Sequence, residues 1–331
     1  MNRMNTDDNF LTDVYFNRLE QAAIEYVHKN YDYCYLNAMH KKNRQIGTSI
    51  IVVGSSHAMN AIVEDLFPNR DIINFSISSQ DLYCDFLHIK KAVNEGKRKI
   101  DKCIVNIGYY MLFQDVSLSK QMNYLMPAVY GPIFDDMHHY TGETEIDRFD
   151  TLGYDHNVYS KELMRRLCEE WADGAFMEQG SYYGKLLKRQ QNNILSIQGE
   201  IWPEKSVEEK EQYAIKRAAD HNKLRKHEQT RLENNIIVKE MVEFLEKHDI
   251  IPIFVIFPFT RWYKKYIDPF YKKDIFELLN SLSQQVEFLD MNEVEGFDDM
   301  DFLDTDHLNL NGAEKATSLL LDFLETIDDI K

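Results

Sequence analysis

Residues 49 to 108 alternate short, continuously apolar segments with longer amphipathic ones, and few folds accept that pattern. Ser49-Ile-Ile-Val-Val53 is β-branched and apolar at every internal position, as a strand buried on both faces must be. Ile72–Ile77 and Cys103-Ile-Val-Asn-Ile107 repeat the signal, and helices fit Ala58–Leu66 and Tyr83–Gly96 between them. Strands separated by helices at this spacing predict a parallel sheet with helices on both faces. The pattern returns near the C-terminus, with strands at Ile250–Phe257 and Val286–Asp290 and helices at Phe270–Leu282 and Asn311–Ile327. The expected class is therefore α/β, a three-layer sandwich around a central parallel sheet.

The middle of the chain breaks the alternation. Residues 115–158 hold Pro127, Gly131-Pro132, Gly142 and Gly153 among polar residues and aromatics (Tyr124, Tyr130, Phe134, Tyr140, Phe149, Tyr154), which predicts an irregular, ordered loop. Residues 160–195 and 204–248 read as helices, the second heavily charged until Ile236. A helix is also expected over 9–30, with Asp7 or Asp8 as its cap. The expected organisation is a core of 1–114 and 249–331 with a mainly helical insertion, 115–248, as a lid or partner-binding element.

Charge narrows the function classes. The 331 residues carry 38 basic and 55 acidic side chains, a net of −17. Such a surface repels phosphate backbones and anionic lipid, so neither a nucleic-acid partner nor a membrane surface is expected. The longest apolar run, Ile250–Phe259, has ten residues and two prolines, where a membrane span needs roughly 20. The opening segment, MNRMNTDDNF, lacks the apolar stretch of a secretory signal. Cys34, Cys84, Cys103 and Cys168 form no CxxC pair and read as reduced thiols of a cytoplasmic protein.

Chemistry-bearing residues collect at strand ends, where open α/β sheets bind ligands. Gly54-Ser55-Ser56-His57 follows the first strand. A serine hydroxyl is a weak nucleophile and needs a base and oxyanion donors beside it; a serine here also reads as a helix cap. Asp304-Thr-Asp-His307 precedes the last helix, and an acid three residues before a histidine can orient its ring. Asn106-Ile-Gly108 and Asn74-Phe-Ser-Ile-Ser-Ser79 end the third and second strands, where ordinary βα-turn chemistry is the plainer reading. His138-His139 beside Asp135 and Asp136 lacks the spaced ligands of a metal site, so no metal and no cofactor are expected.

Together these segments resemble the SGNH (GDSL-like) hydrolase superfamily. Its first block, Gly-Asp-Ser, is matched by Gly54-Ser55-Ser56, with Ser55 in place of the aspartate. Its last, Asp-x-x-His, is matched by Asp304 and His307, and Asp-His-Leu-Asn-x-x-Gly-Ala at 306–313 is similar to the closing motif. Asn74 matches the second block, with Ser79 at its glycine. In the third block Gly108 matches, but Tyr110 stands where an oxyanion-hole asparagine belongs. The resemblance covers roughly residues 48–110 and 250–327, and the divergence is similar to that of a branch found with cell-surface polysaccharide synthesis. It implies a flavodoxin-like SGNH fold and serine-dependent hydrolysis or transfer of an acyl group on an O-acylated carbohydrate. Ser56 would be the nucleophile, His307 the base and Asp304 its orienting acid. Ser79, Gly108, Tyr110, Asn106, Asn74 and His57 are the candidates for oxyanion or substrate contacts. Loss of one oxyanion donor costs about 3–4 kcal/mol, so the alternative is a non-catalytic SGNH scaffold that binds a glycan or protein partner. A thioesterase with the same triad would need an apolar acyl channel as well.

Overall fold

The computed structural model describes residues 7–144, 148, 152, 154, 157, 159–177, 201–282 and 286–329. The elements, in chain order, are α1 (Asp7–Lys29), α2 (Tyr31–Gln45), β1 (Ile50–Val53), α3 (Ser56–Ala61), β2 (Ile72–Asn74), α4 (Leu82–Glu95), β3 (Lys102–Asn106), α5 (Gly131–Phe134) and α6 (Lys161–Met177). They continue with α7 (Val207–Asn222), α8 (Glu228–Lys247), β4 (Ile251–Ile256), α9 (Arg261–Tyr266), α10 (Pro269–Asn280), β5 (Glu287–Asp290) and α11 (Leu310–Asp329).

All five strands lie in one parallel sheet in the order β2-β1-β3-β4-β5. The chain is thus α/β with a five-stranded, all-parallel central sheet. This order is one of the common doubly wound arrangements, and it reverses direction between β1 and β3. The carboxyl ends of β1 and β3 therefore flank the crevice where such sheets take ligands. One face of the sheet carries α4 and α8. On the other, Val52, Ile104, Ile253 and Val255 pack with Ala58 and Ile62 near α3 and with Leu320 and Leu324 of α11.

Two compact units form. One joins Met1–Lys42 to Asn123–Gln179, and the other joins Asn43–Met122 to Gly180–Lys331. They cut the chain differently from the expected core and insertion. The reason is that α7 and α8 belong to the sheet unit: α8 lies on β4 and α4, and α7 meets α9. The charged segment is two helices joined by a 3₁₀ turn at Lys223–Lys226, not one continuous helix. In the other unit, 126–134 is helical rather than irregular. Tyr130 is wholly buried there and stacks on Phe134, so part of the aromatic content builds a core. Phe149 and residues 178–195 lie outside the described residues.

Two elements differ from expectation because side chains capture the backbone. β2 ends at Asn74, not Ile77, where the Asn74 side chain accepts the Ser76 N–H at 3.0 Å. α3 ends at Ala61, not Leu66: Thr317 Oγ1 donates to the Ala61 carbonyl and accepts the Val63 N–H. Helices α2 and α9 were not expected at all.

Candidate active site

The site is built on the turn after β1. Ser55 is the N-cap of α3, with extended backbone, and its hydroxyl accepts the His57 N–H at 3.5 Å. Ser56 is the first helical residue. Its N–H belongs to the first turn, which has no intrahelical acceptor. Capping therefore falls on buried Ser55 and leaves the hydroxyl of half-buried Ser56 to a different partner.

The partner loop precedes α11. A bridge between Phe302 and Leu308 and the Leu303 N–H on the His307 carbonyl close residues 302–308 on themselves. Thr260 pins the loop from outside through the Thr305 carbonyl. Within it, Asp304 Oδ1 accepts the N–H groups of Asp306 and His307 at 3.0 and 2.8 Å. The same carboxylate meets His307 Nδ1 at 2.9 Å, and His307 Nε2 stands 2.7 Å from Ser56 Oγ. A carboxylate at Nδ1 places the proton there and turns the Nε2 lone pair to the hydroxyl. Burial works against charge on this ring, but Asp304 and then Asp306 raise the His307 pKa above 6.5. Such a chain can take the hydroxyl proton onto a stabilised imidazolium.

The other expected residues divide. Ser79 has φ +63°, the left-handed conformation that glycine adopts without cost. The backbone thus keeps the geometry of the glycine that Ser79 replaces in the resemblance. Relief of that conformation is worth about 1–2 kcal/mol, against a glycine's extra unfolded-state entropy of about 0.5–1. Ser79→Gly is therefore expected to stabilise by about 0.5 kcal/mol and Ser79→Val to destabilise by about 1 or more in urea unfolding. A destabilising glycine would show that the strain is absent.

Asn106 and Gly108 are committed elsewhere. Asn106 Nδ2 donates to the Val255 carbonyl and Oδ1 accepts from Ser55 Oγ, which ties the ends of β1, β3 and β4 together. The Gly108 N–H donates to Met111 Sδ at 3.0 Å. Asn74 shapes its own turn. Neither Asn106 nor Gly108 offers these donors to an oxyanion. Tyr110 is buried and stacks on His221 at 3.7 Å between centroids, and burial raises its pKa.

A second network lies against the first. The His57 ring stacks on His307, 5.0 Å between centroids and 18° from parallel. His57 Nδ1 meets Ser55 Oγ at 3.2 Å and Nε2 meets Asp306 Oδ2 at 3.3 Å. Asp306 also accepts from Thr305 Oγ1, from Arg217 Nε at both oxygens and from an Arg217 terminal nitrogen at 2.9 Å. Burial opposes the Asp306 charge, yet Arg217 first, then His307 and His57, hold its pKa well below the usual range. The clustered donors of His57, Asp306 and His307 already surround a guanidinium-paired carboxylate, which places positive charge where a cation would sit. Arg217 and His221 were missed in the sequence; their i, i+4 spacing on one helix face was the available signal.

No family model matches the chain, and no curated protein matches it. Among solved structures, one described as "a putative platelet activating factor from Streptococcus pneumonia" aligns at 12% identity with a TM-score of 0.38, covering 97% of this chain and 100% of that one. No helix among the described residues is long and apolar enough to cross a membrane.

Proposed function

We propose that the protein is an SGNH-type serine enzyme that hydrolyses or transfers an acyl group of an O-acylated carbohydrate. The observation that carries this reading is the aligned Asp304–His307–Ser56 series, with heavy-atom separations of 2.9 and 2.7 Å. Such distances are those of a base within reach of a nucleophile's proton. Ser56 Oγ attacks the ester carbonyl as its proton passes to His307 Nε2, and the imidazolium then protonates the leaving alkoxide. Water or a sugar hydroxyl releases the acyl group from Ser56 by the same relay in reverse. The Ser56 and Ser79 backbone N–H groups are assigned to the oxyanion.

The commitments of Asn106 and Gly108 and the stacking of Tyr110 favour one rival, a scaffold of the same kind that binds a glycan or protein and does no chemistry. Intact-protein mass spectrometry after exposure to a fluorophosphonate separates the two. One adduct on the wild type, absent from Ser56→Ala, is expected. A folded wild type that takes no adduct at any pH from 6 to 9 points to the rival.

A further inference from the structure

Arg217 reaches the serine site from α7, 89 positions from Asp306 in the sequence. We propose that Arg217 is a positioning residue of this site: by pairing with Asp306 it keeps the stacked His57 ring neutral, so that His307 alone takes up a proton. The inference rests on the proposed serine reading for its catalytic meaning, but not for its electrostatics.

The geometry sets the problem. Two imidazoles face each other at 5.0 Å, and both are shielded from water. His307 must become an imidazolium each time Ser56 gives up its proton. A second positive ring in the stack opposes that step, because like charges repel strongly where water does not screen them. Yet His57 also touches a carboxylate, Asp306, which by itself favours a protonated ring.

Arg217 resolves the conflict. It occupies both oxygens of Asp306 and offsets the negative charge that His57 and His307 both feel. His57 then donates from Nε2 to Asp306, and its Nδ1 stands 3.2 Å from Ser55 Oγ, the hydroxyl that also meets Asn106 Oδ1. Among the described residues, its remaining neighbours supply no second anion. Phe259 and Tyr110 meet the ring edge-on, and His221 lies behind Tyr110. Burial, His307 and Arg217 lower the His57 pKa against the pull of Asp306, while burial and then Arg217 hold His221 low. Asp304 faces His307, not His57.

Loss of the guanidinium moves its charge onto the stacked ring. In Arg217→Gln, Asp306 has only His57 and His307 to neutralise it, and His57 protonates near neutral pH. The His307 imidazolium then forms beside a cation. Reactivity falls at pH 7 and returns when His57 loses its proton at higher pH. Arg217→Lys retains a positive charge and holds His57 neutral.

The test is NMR titration of ¹³C-labelled histidine rings in the full-length protein, with His57→Gln and His307→Gln assigning the two signals. In the wild type and Arg217→Lys, the His57 midpoint is expected below the ordinary value of about 6.5. In Arg217→Gln it is expected above. In parallel, the fluorophosphonate labelling rate of Arg217→Gln is expected about tenfold below wild type at pH 7 and within about twofold at pH 9. A His57 midpoint that is the same in wild type and Arg217→Gln overturns the proposal. So does a rate loss equal at both pH values, which marks a purely structural role. A wild type that never labels but shows the expected titrations overturns the serine reading alone.

Discussion

Replacing His307 with alanine is expected to slow acylation of Ser56 by about 10⁶, and Asp304→Asn by about 10⁴, the scale of such changes in other serine hydrolases. The two numbers differ for a structural reason. In the proposed relay His307, bonded to Ser56 Oγ, is the base, and its removal leaves the hydroxyl proton without that acceptor. In Asp304→Asn the ring remains, but the new amide can donate to Nδ1 and so favours the tautomer whose Nε2 carries the proton and faces the serine wrongly. The pH profile gives a second check. A base must be neutral to act, so the rate rises with pH through the His307 pKa. That value lies above 6.5, with burial opposed by Asp304 as the largest raising influence. In Asp304→Asn the inflection therefore moves down while the plateau falls. Stopped-flow measurement of the burst from a p-nitrophenyl ester reads both quantities. An unchanged inflection in Asp304→Asn would falsify the orienting role of this carboxylate.

What the chain disclosed in advance follows from the range over which each signal acts. The strand at Ile50–Val53 and the serine turn after it are local, and β-branched runs bounded by glycine read directly. Asp304 and His307 are three residues apart, so their pairing is also local. Neighbouring Ser55 and Ser56 carried two readings, cap and nucleophile; the turn gives the cap to Ser55 and sets the Ser56 hydroxyl against His307. Arg217 and His221 were hard to read because their i, i+4 spacing is a mark that any exposed helix face also carries. On a helix with many charges, one arginine looks like a solvated face until the sheet brings Asp306 beneath it. Helix α2 was missed because its buried positions, Cys34, Tyr35, Ala38 and Met39, are hidden among polar and aromatic residues. The stacking of Tyr110 on His221 joins residues far apart in the chain, and no spacing rule reaches from one to the other.

Gly54→Ala is expected to be the most damaging change outside the triad. Gly54 has φ +149°, a conformation L residues rarely adopt. A Cβ there would lie 2.5 Å from Asn106 Cβ and 3.1 Å from Asn106 Oδ1, so β1 and β3 approach too closely for any side chain. The Gly54 N–H also lies near the carboxyl of Asp85, which burial drives well above its usual pKa. An added methyl must push the turn off both partners. Backbone strain and overpacking together cost about 3–5 kcal/mol. Gly296→Ala is the control: φ is +114°, but nothing lies within 4 Å of the added carbon, so only strain of about 1–3 kcal/mol applies. Urea unfolding of the two variants separates crowding from strain, and equal losses would show that the approach of β1 to β3 is not what requires glycine. The same displacement carries Ser56 with it. A shift near 1 Å costs about 10² in rate, so Gly54→Ala protein that remains folded is expected to label at least about a hundredfold more slowly, while Gly296→Ala labels as the wild type does.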